Sequence, residues 1–407
     1  MKIKGYKFIL LALIYQVLSI ECATAQANDE DSLFISEELT EQGLFTGGIE
    51  GPAVDKRGNI YAVNYQKEGT IGKVTPEGSC TLFVTLPEGS IGNGIRFNKE
   101  GEMFVADYPK HNILKVNMET KEIEVYAHED DMNQPNDLAI SDNGVLYASD
   151  PNWGENSGNI WRIDTNRTVH LLESNMGTTN GIEVSPDNRT LYVGESNQHR
   201  ILAYDLSSDG EISNKRVFKE FEDEVFDGMR CDSIGNLYAT CYNKGKVYIL
   251  SPDGEVKKVV TLIGNTVSNI CFGGADGRAC YVTMVDKKNI ETFRTDVPGR
   301  SWVMQQEITS LKNRRRPGIP KKVLLKQNYP NPFNPQTSIP FIIQQSGFTS
   351  LSVYNMLGQK VSVLVNSELS SGSYTYKFIA DNLPSGQYFY RLKSGDFIEE
   401  KEMILIK

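Results

Sequence analysis

The sequence predicts an all-β chain: a six-bladed β-propeller over residues 26–297, followed by a small C-terminal β-sandwich over residues 323–407. The first observation is a unit of polar residue, short strand, tight turn and second strand that occurs six times. Its leading polar residue falls at Glu50, Asn93, Asn136, Asn180, Asp227 and Asn269, at separations of 42 to 47 residues. The second is the register inside the unit. Gly58, Gly101, Gly144 and Gly235 mark the same turn, and Tyr61, Phe104, Tyr147, Tyr192, Tyr238 and Tyr281 share one position on the second strand. A period of roughly 40–50 residues with several short strands is that of a propeller blade. The third is the loss of that period after residue 297, with short alternating strands returning only beyond residue 322.

The N-terminus reads as a secretion signal over residues 1–25. Lys2, Lys4 and Lys7 precede the apolar run from Phe8 to Ile20, and Ala23-Thr24-Ala25 offers small residues for cleavage. The run is too short for a membrane anchor, and no transmembrane segment is expected in the mature chain. Cys22 follows Glu21, which is a poor context for a lipid anchor. Removing these residues takes the formal charge from −10 to about −12. So acidic a chain is not expected to bind nucleic acid. Cys80, Cys231, Cys241, Cys271 and Cys280 remain, none at metal-site spacing, and they read as buried thiols within blades. The four His are scattered, which leaves a His-based zinc site or a Ser-His-Asp triad little to stand on.

Each blade is expected to hold four strands, a to d from the axis outward. In the first these are Pro52 to Asp55, Asn59 to Asn64, Ile71 to Thr75 and Cys80 to Leu86. The sixth supplies only three, near Asn269 to Phe272, Ala279 to Met284 and Ile290 to Arg294. The stretch from Leu33 to Leu39 is expected to add the fourth and close the ring, which removes a sheet edge.

The six leading polar residues sit where the chain joins the innermost strand, so in a ring they converge on one mouth of the channel. All six carry side-chain oxygen. Two carboxylates, Glu50 and Asp227, with amides and without thiolate or imidazole, form a hard-oxygen site suited to Ca²⁺ or Mg²⁺. Such an ion polarises a carbonyl or phosphoryl oxygen and acidifies bound water, which suits hydrolysis of an ester. The loops joining strands b and c lie on the same face. Among them Asp107-Tyr108, Asp150 to Trp153, Glu195 to His199 and Tyr242-Asn243 are expected to form the pocket wall, with Asp150 and Trp153 as substrate contacts beside Asn93 and Asn136.

From Glu50 to Thr283 the chain resembles the regucalcin/gluconolactonase family of six-bladed propellers. The resemblance rests on Ile49-Glu50-Gly51-Pro52, Pro135-Asn136-Asp137, Asp150-Pro151, Thr179-Asn180-Gly181 and Phe226-Asp227-Gly228-Met229. Ile212 to Arg216 and Cys271-Phe272-Gly273-Gly274 add to it. It implies hydrolysis of a lactone or related ester with a divalent cation at the channel mouth. It also implies Glu50, Asn180 and Asp227 as metal ligands, Asn136 as a ligand or substrate contact, and Asp227 as the acid/base. Gln134 stands where many gluconolactonase-like members carry Arg, which removes a strong contact for hydroxyl or anionic groups.

Residues 298–322 are basic and contain Pro317 and Pro320, and they read as an exposed linker. Residues 323–407 show alternating strands, as at Leu351 to Tyr354, Tyr374 to Ile379 and Gln387 to Leu392, and read as a β-sandwich. This tail resembles the C-terminal sorting domain of the bacterial type IX secretion pathway. The matching runs are Gln327 to Pro335, Val353 to Gly358, Leu383 to Tyr388 and Lys401 to Lys407. That implies passage through the periplasm and then export by the type IX machinery to the surface or medium. The leading reading is thus a secreted metal-dependent lactonase. The rival is a non-catalytic surface propeller binding a glycan or protein at the same mouth; the Glu50/Asp227 pair favours the enzyme.

Overall fold

The computed structural model describes residues 33–312, 324–343, 347–369, 372–395 and 397–407, so the expected signal peptide lies outside the described residues. The chain divides into two compact units, residues 1–309 and 310–407.

The first unit holds six four-stranded antiparallel sheets. Their innermost strands are Ala53–Val54, Gly92–Phe97, Leu138–Ile140, Thr179–Val184, Val225–Cys231 and Val267–Gly273. These strands neighbour one another in chain order, and the last meets the first again. The hydrophobic cores have the same cyclic order. Each lies between two adjacent sheets, and the sixth joins Ile49, Val54 and Ile60 of the first blade to Cys271, Tyr281 and Ile290 of the last. This is a closed ring, the six-bladed propeller.

The repeated aromatics explain the spacing of the blades. Tyr61, Phe104, Tyr147, Tyr192, Tyr238 and Tyr281 are all buried. They sit on strand b and reach the neighbouring sheet: Tyr61 meets Phe97 edge-on at 5.6 Å between centroids, and Tyr238 meets Phe272 at 4.9 Å. Burial of each such ring stabilises by roughly 1.5–3 kcal/mol. The turn glycines have φ of 83° to 94° at Gly58, Gly101, Gly144 and Gly235, which a side chain would strain. In the first of these turns the Asp55 carboxylate accepts the backbone N–H groups of Arg57 and Asn59.

The ring closes on the N-terminal stretch. Glu37–Glu38 pairs antiparallel with Asn289–Arg294, completing the sixth sheet, and Leu39 N–H donates to the Ile290 carbonyl at 2.9 Å. Cys80, Cys231, Cys241, Cys271 and Cys280 are free thiols, the last four buried.

The expected linker differs at its start. Residues Arg300–Lys312 form a helix, α1, whose first turns meet the channel end away from the leading polar residues. Arg300 donates to the Ile140 carbonyl at 2.9 Å, Trp302 Nε1 to the Gly274 carbonyl at 3.1 Å and Gln305 Nε2 to the Val54 carbonyl at 3.1 Å. Those carbonyls mark the far ends of three innermost strands. Met304 enters the core between the second and third blades. The basic run from Arg314 to Lys322 lies outside the described residues.

The second unit is a two-sheet sandwich. Leu324–Leu325, Gln336–Ile343 and Gly372–Ile379 form one sheet, and Lys360–Leu369, Gly347–Asn355, Gly386–Ser394 and Phe397–Leu405 the other. Phe333, Phe341, Phe378, Tyr390 and Met403 share its core. Asn328 of the Gln327 to Pro335 run is buried and holds that run in place: its N–H donates to the Tyr390 hydroxyl at 2.8 Å, and its side-chain amide to Thr337 at 2.9 Å.

Candidate active site

The innermost strands present their leading polar residues through a shared irregularity. In the second, fourth, fifth and sixth blades the pairing of strands a and b shifts register, between Gly92/Ile95, Thr179/Ile182, Phe226/Met229 and Val267/Ile270. Each shift inserts one extra residue, a β-bulge that re-aims a side chain. The first bulged residue is Asn93, Asn180, Asp227 and Ser268 in turn. The second is Gly94, Gly181, Gly228 and Asn269. A Cβ at Gly181 would stand 2.2 Å from the Asp227 carbonyl oxygen, so glycine there lets neighbouring strands approach.

This corrects the sixth position of the ring, which belongs to Ser268 and not to Asn269. Cys271 faces Tyr281 as Arg230 faces Tyr238, and counting back three residues from each gives Ser268 and Asp227. Asn269 has a different task. Its Nδ2 donates to Glu50 Oε1 at 2.6 Å, while its Oδ1 accepts the Ile270 N–H.

Glu50, Asn93, Asn136, Trp153, Asn180 and Asp227 all line one cavity of about 440 Å³ at the channel mouth. Glu50 is buried, and loss of hydration pushes its carboxyl up to about 7, against hydrogen bonds from Ser268 and Asn269. Asp227 is also raised, first by burial and then by the negative charges of Glu50 and Asp137. The two carboxyls therefore feel each other's charge in a poorly hydrated place. Asn180 Nδ2 donates to Ser196 Oγ at 3.1 Å, and the Ser196 hydroxyl donates in turn to the Phe226 carbonyl at 2.6 Å. That fixes the amide orientation and leaves Asn180 Oδ1 buried without a partner. Two carboxyls and one orphaned amide oxygen, with Ser and Asn beside them, are a donor set that fits a hard divalent cation. Among the described residues no group of three or more His, Cys, Asp or Glu could hold a metal ion, so any such site also draws on neutral oxygen donors.

Below the mouth the channel carries a second tier. Asp137 meets Arg96 and Arg230, each at 3.1 Å, with all three side chains buried. Burial alone would raise Asp137, but the two guanidiniums more than offset it, and its carboxyl is held below the usual range. Further along, Arg300 of α1 lies 3.6 Å from Glu183 and 2.7 Å from Asp142.

Asp150 is not a cavity residue, which corrects its expected role as a substrate contact. It is fully buried, and its carboxylate accepts hydrogen bonds from the Asn133 and Gln134 N–H groups, Asn133 Nδ2, Asn159 Nδ2 and Trp161 Nε1. Those five donors leave it as an anchor for the loop that precedes Asn136. Asp107 is the equivalent anchor in the preceding blade, where it accepts from Ser90, Ile91 N–H and Asn112. Of the expected wall loops, Trp153, Ser196, Asn197 and Tyr242 reach the cavity, whereas Asp107-Tyr108 and His199 do not line it. Ser268, Asp137, Arg96 and Arg230 escape a sequence reading focused on the leading position. The repeated Arg three residues after Asn93 and after Asp227 was the available signal.

The raised carboxyls make stability depend on pH. The folded chain keeps Glu50 protonated up to about pH 7, whereas the ordinary value is 4.5. Between these values the folded state holds more protons than the unfolded one, so stability falls as pH rises. We expect the melting temperature of the cation-free propeller to drop between pH 5 and about pH 8 and the drop to shrink in Glu50→Gln. A melting temperature that climbs over this interval would count against the assignment.

Comparison with known proteins agrees with this fold. The SMP-30/Gluconolactonase/LRE-like region matches residues 49–286, and the secretion system C-terminal sorting domain matches residues 327–407. A gluconolactonase of Zymomonas mobilis is 29% identical over 286 residues, covering 61% of this chain and 79% of that protein. A regucalcin of Oryctolagus cuniculus is 32% identical over 130 residues, 31% of this chain and 44% of that protein. Among solved structures, a calcium-binding regucalcin of Agrobacterium tumefaciens superimposes with a TM-score of 0.58 at 18% identity, covering 66% of this chain and 97% of that one. That last similarity speaks to the fold.

Proposed function

Since the chain belongs to the SMP-30/gluconolactonase/LRE-like family and ends in a secretion sorting domain, we propose that it is a secreted, divalent-metal-dependent lactonase. Ca²⁺ is the first choice of ion and Mg²⁺ the second. The observation that carries this reading is the pair of buried, mutually repelling carboxyls at Glu50 and Asp227 beside the orphaned Asn180 Oδ1.

Glu50, Asn180 and Asp227 would hold the ion, with Asn136 as a further ligand or substrate contact. When bound, a divalent cation supplies Lewis acidity toward the carbonyl oxygen of a lactone. Asn269 keeps Glu50 in place, and Ser196 keeps the Asn180 oxygen turned inward. Asp227 accepts a proton from water as its oxygen bonds to the carbonyl carbon. The ring C–O bond then breaks, Asp227 returns the proton to the departing alkoxide oxygen, and the product is an open hydroxy acid. Asn93 and Trp153 contact the substrate.

Purified protein assayed against a lactone and aryl-ester panel, with Ca²⁺ and with chelator, tests the reading. Lactone hydrolysis that chelator removes and Ca²⁺ restores is expected. No hydrolysis in the presence of bound Ca²⁺ would favour a non-catalytic propeller that binds a glycan or protein.

Export is a separate expectation. Deleting residues 323–407 should leave a folded propeller in the periplasm, because the first unit has its own cores and the sorting domain is gone. Fractionation of the native host that recovers the truncated chain outside the cell at normal levels would refute the role given to the tail.

A further inference from the structure

We propose that the mouth selects uncharged lactones bearing an apolar or aromatic substituent, and that Trp153 is the surface on which this substituent lies. This rests on the lactonase reading and adds the substrate class to it.

Charge is the first argument. The residues lining the cavity include two acids, Glu50 and Asp227, and no Lys, Arg or His. The arginines deeper in the channel are engaged by Asp137. With Glu50 and Asp227 balancing the ion's two charges, a carboxylate, phosphate or sulfonate on the substituent would find no side-chain cation on the wall to pair with. In a poorly hydrated cavity an anion without such a partner is costly to bury.

Shape is the second. Ile49, Val225, Val285, Tyr242 and Trp153 give the same cavity an apolar share, and Trp153 is 43% exposed. Its position is built into the third blade. There strands b and c, Leu146–Asn152 and Ser157–Ile163, continue two pairs past Asp150↔Asn159, to Pro151↔Gly158 and Asn152↔Ser157. In the second blade the equivalent ladder stops at Asp107↔Asn112. The longer hairpin carries Trp153 at its tip, out over the mouth.

Rigidity is the third. Asn156 of the same hairpin accepts a hydrogen bond from Asn197 Nδ2 at 2.6 Å, which ties the tip to the neighbouring blade. The tie restrains the hairpin that carries Trp153, so part of the ordering cost of presenting its indole to the cavity as a stacking surface is met before substrate arrives.

The test uses the full secreted chain with Ca²⁺ and three lactones of one ring size: the parent, one bearing a phenyl group and one bearing a carboxylate. The phenyl lactone should exceed the parent in kcat/KM by about tenfold, and the carboxylate lactone should fall about tenfold below it. Trp153→Ala should narrow the phenyl-to-parent ratio by about tenfold, chiefly through KM, and Trp153→Phe should keep most of it. Trp153→Lys should raise the carboxylate lactone relative to the parent. A carboxylate lactone that is the best substrate of the wild type overturns the proposal, as does Trp153→Ala lowering all three alike. Calorimetric binding of the matching phenyl and carboxylate lactams reads the same preference without turnover. A chain that binds the phenyl lactam through Trp153 yet opens no lactone refutes the hydrolase reading and upholds this one. Equal binding of both lactams, or of neither, overturns this one.

Discussion

Asp227→Asn should lower lactone turnover and divalent-cation affinity by at least about a hundredfold each, with the fold intact. Asn keeps the volume of Asp and is an equally good partner for Gly228 in the bulge, so the local backbone has no reason to move. What it removes is one of two charges that balance the ion, and the one proton acceptor proposed for the attacking water. Stability without cation should hold or rise, because the repulsion between residues 50 and 227 is gone. Asn93→Ala is the matched control at the equivalent bulge of another blade. It should mostly spare cation affinity and cost about 1 kcal/mol, the size of an ordinary substitution. Rates, calorimetric affinities and melting temperatures for both variants separate ligands from turn formers. Equal consequences at positions 93 and 227 would defeat the site assignment.

The second large effect lies in the tier below. Asp137→Ala should destabilise the propeller by about 3–5 kcal/mol, because it strands Arg96 and Arg230 in a buried place without their shared carboxylate. For a domain of this size that is a drop on the order of 10 °C in melting temperature. Burial and the charge of Arg230 already pull Arg96 down to about 10, so the two guanidiniums repel even with Asp137 present. The triple variant Asp137→Leu, Arg96→Met, Arg230→Met should recover most of the loss, since a buried ion cluster is replaceable by apolar groups of similar volume. An Asp137→Ala melt within about 2 °C of wild type would contradict this account of the channel.

The fold was legible because its determinants repeat. The turn glycines and the strand-b aromatics are each set by one local need, φ above zero or a side chain that spans to the next sheet, and four copies of the first and six of the second make the need visible. The site was legible where blades share the bulge and carry Asn or Asp in its first position. It was misread by one residue in the sixth blade, because Ser268 and Asn269 are both polar and spacing cannot separate them. The register of Cys271 against Tyr281 does. Asp150 was misread for a related reason: an Asp-Pro pair looks like a loop tip, and nothing in the sequence shows that five donors converge on it. Helix α1 was hidden by its composition. Its hold on the ring comes from Arg300, Trp302 and Gln305 reaching backbone carbonyls, and such contacts leave no apolar period to read.

The most direct measurement is a calorimetric titration of the cation-free chain with Ca²⁺ near pH 7 in two buffers of different ionisation enthalpy. With Glu50 pushed up to about 7 and Asp227 also raised, the carboxyls hold protons that an ion must displace. The account predicts one ion per chain, proton release on binding, and loss of both in Glu50→Gln and Asp227→Asn. Ca²⁺ that fails to bind, or that binds without proton release and equally well to both variants, would contradict it.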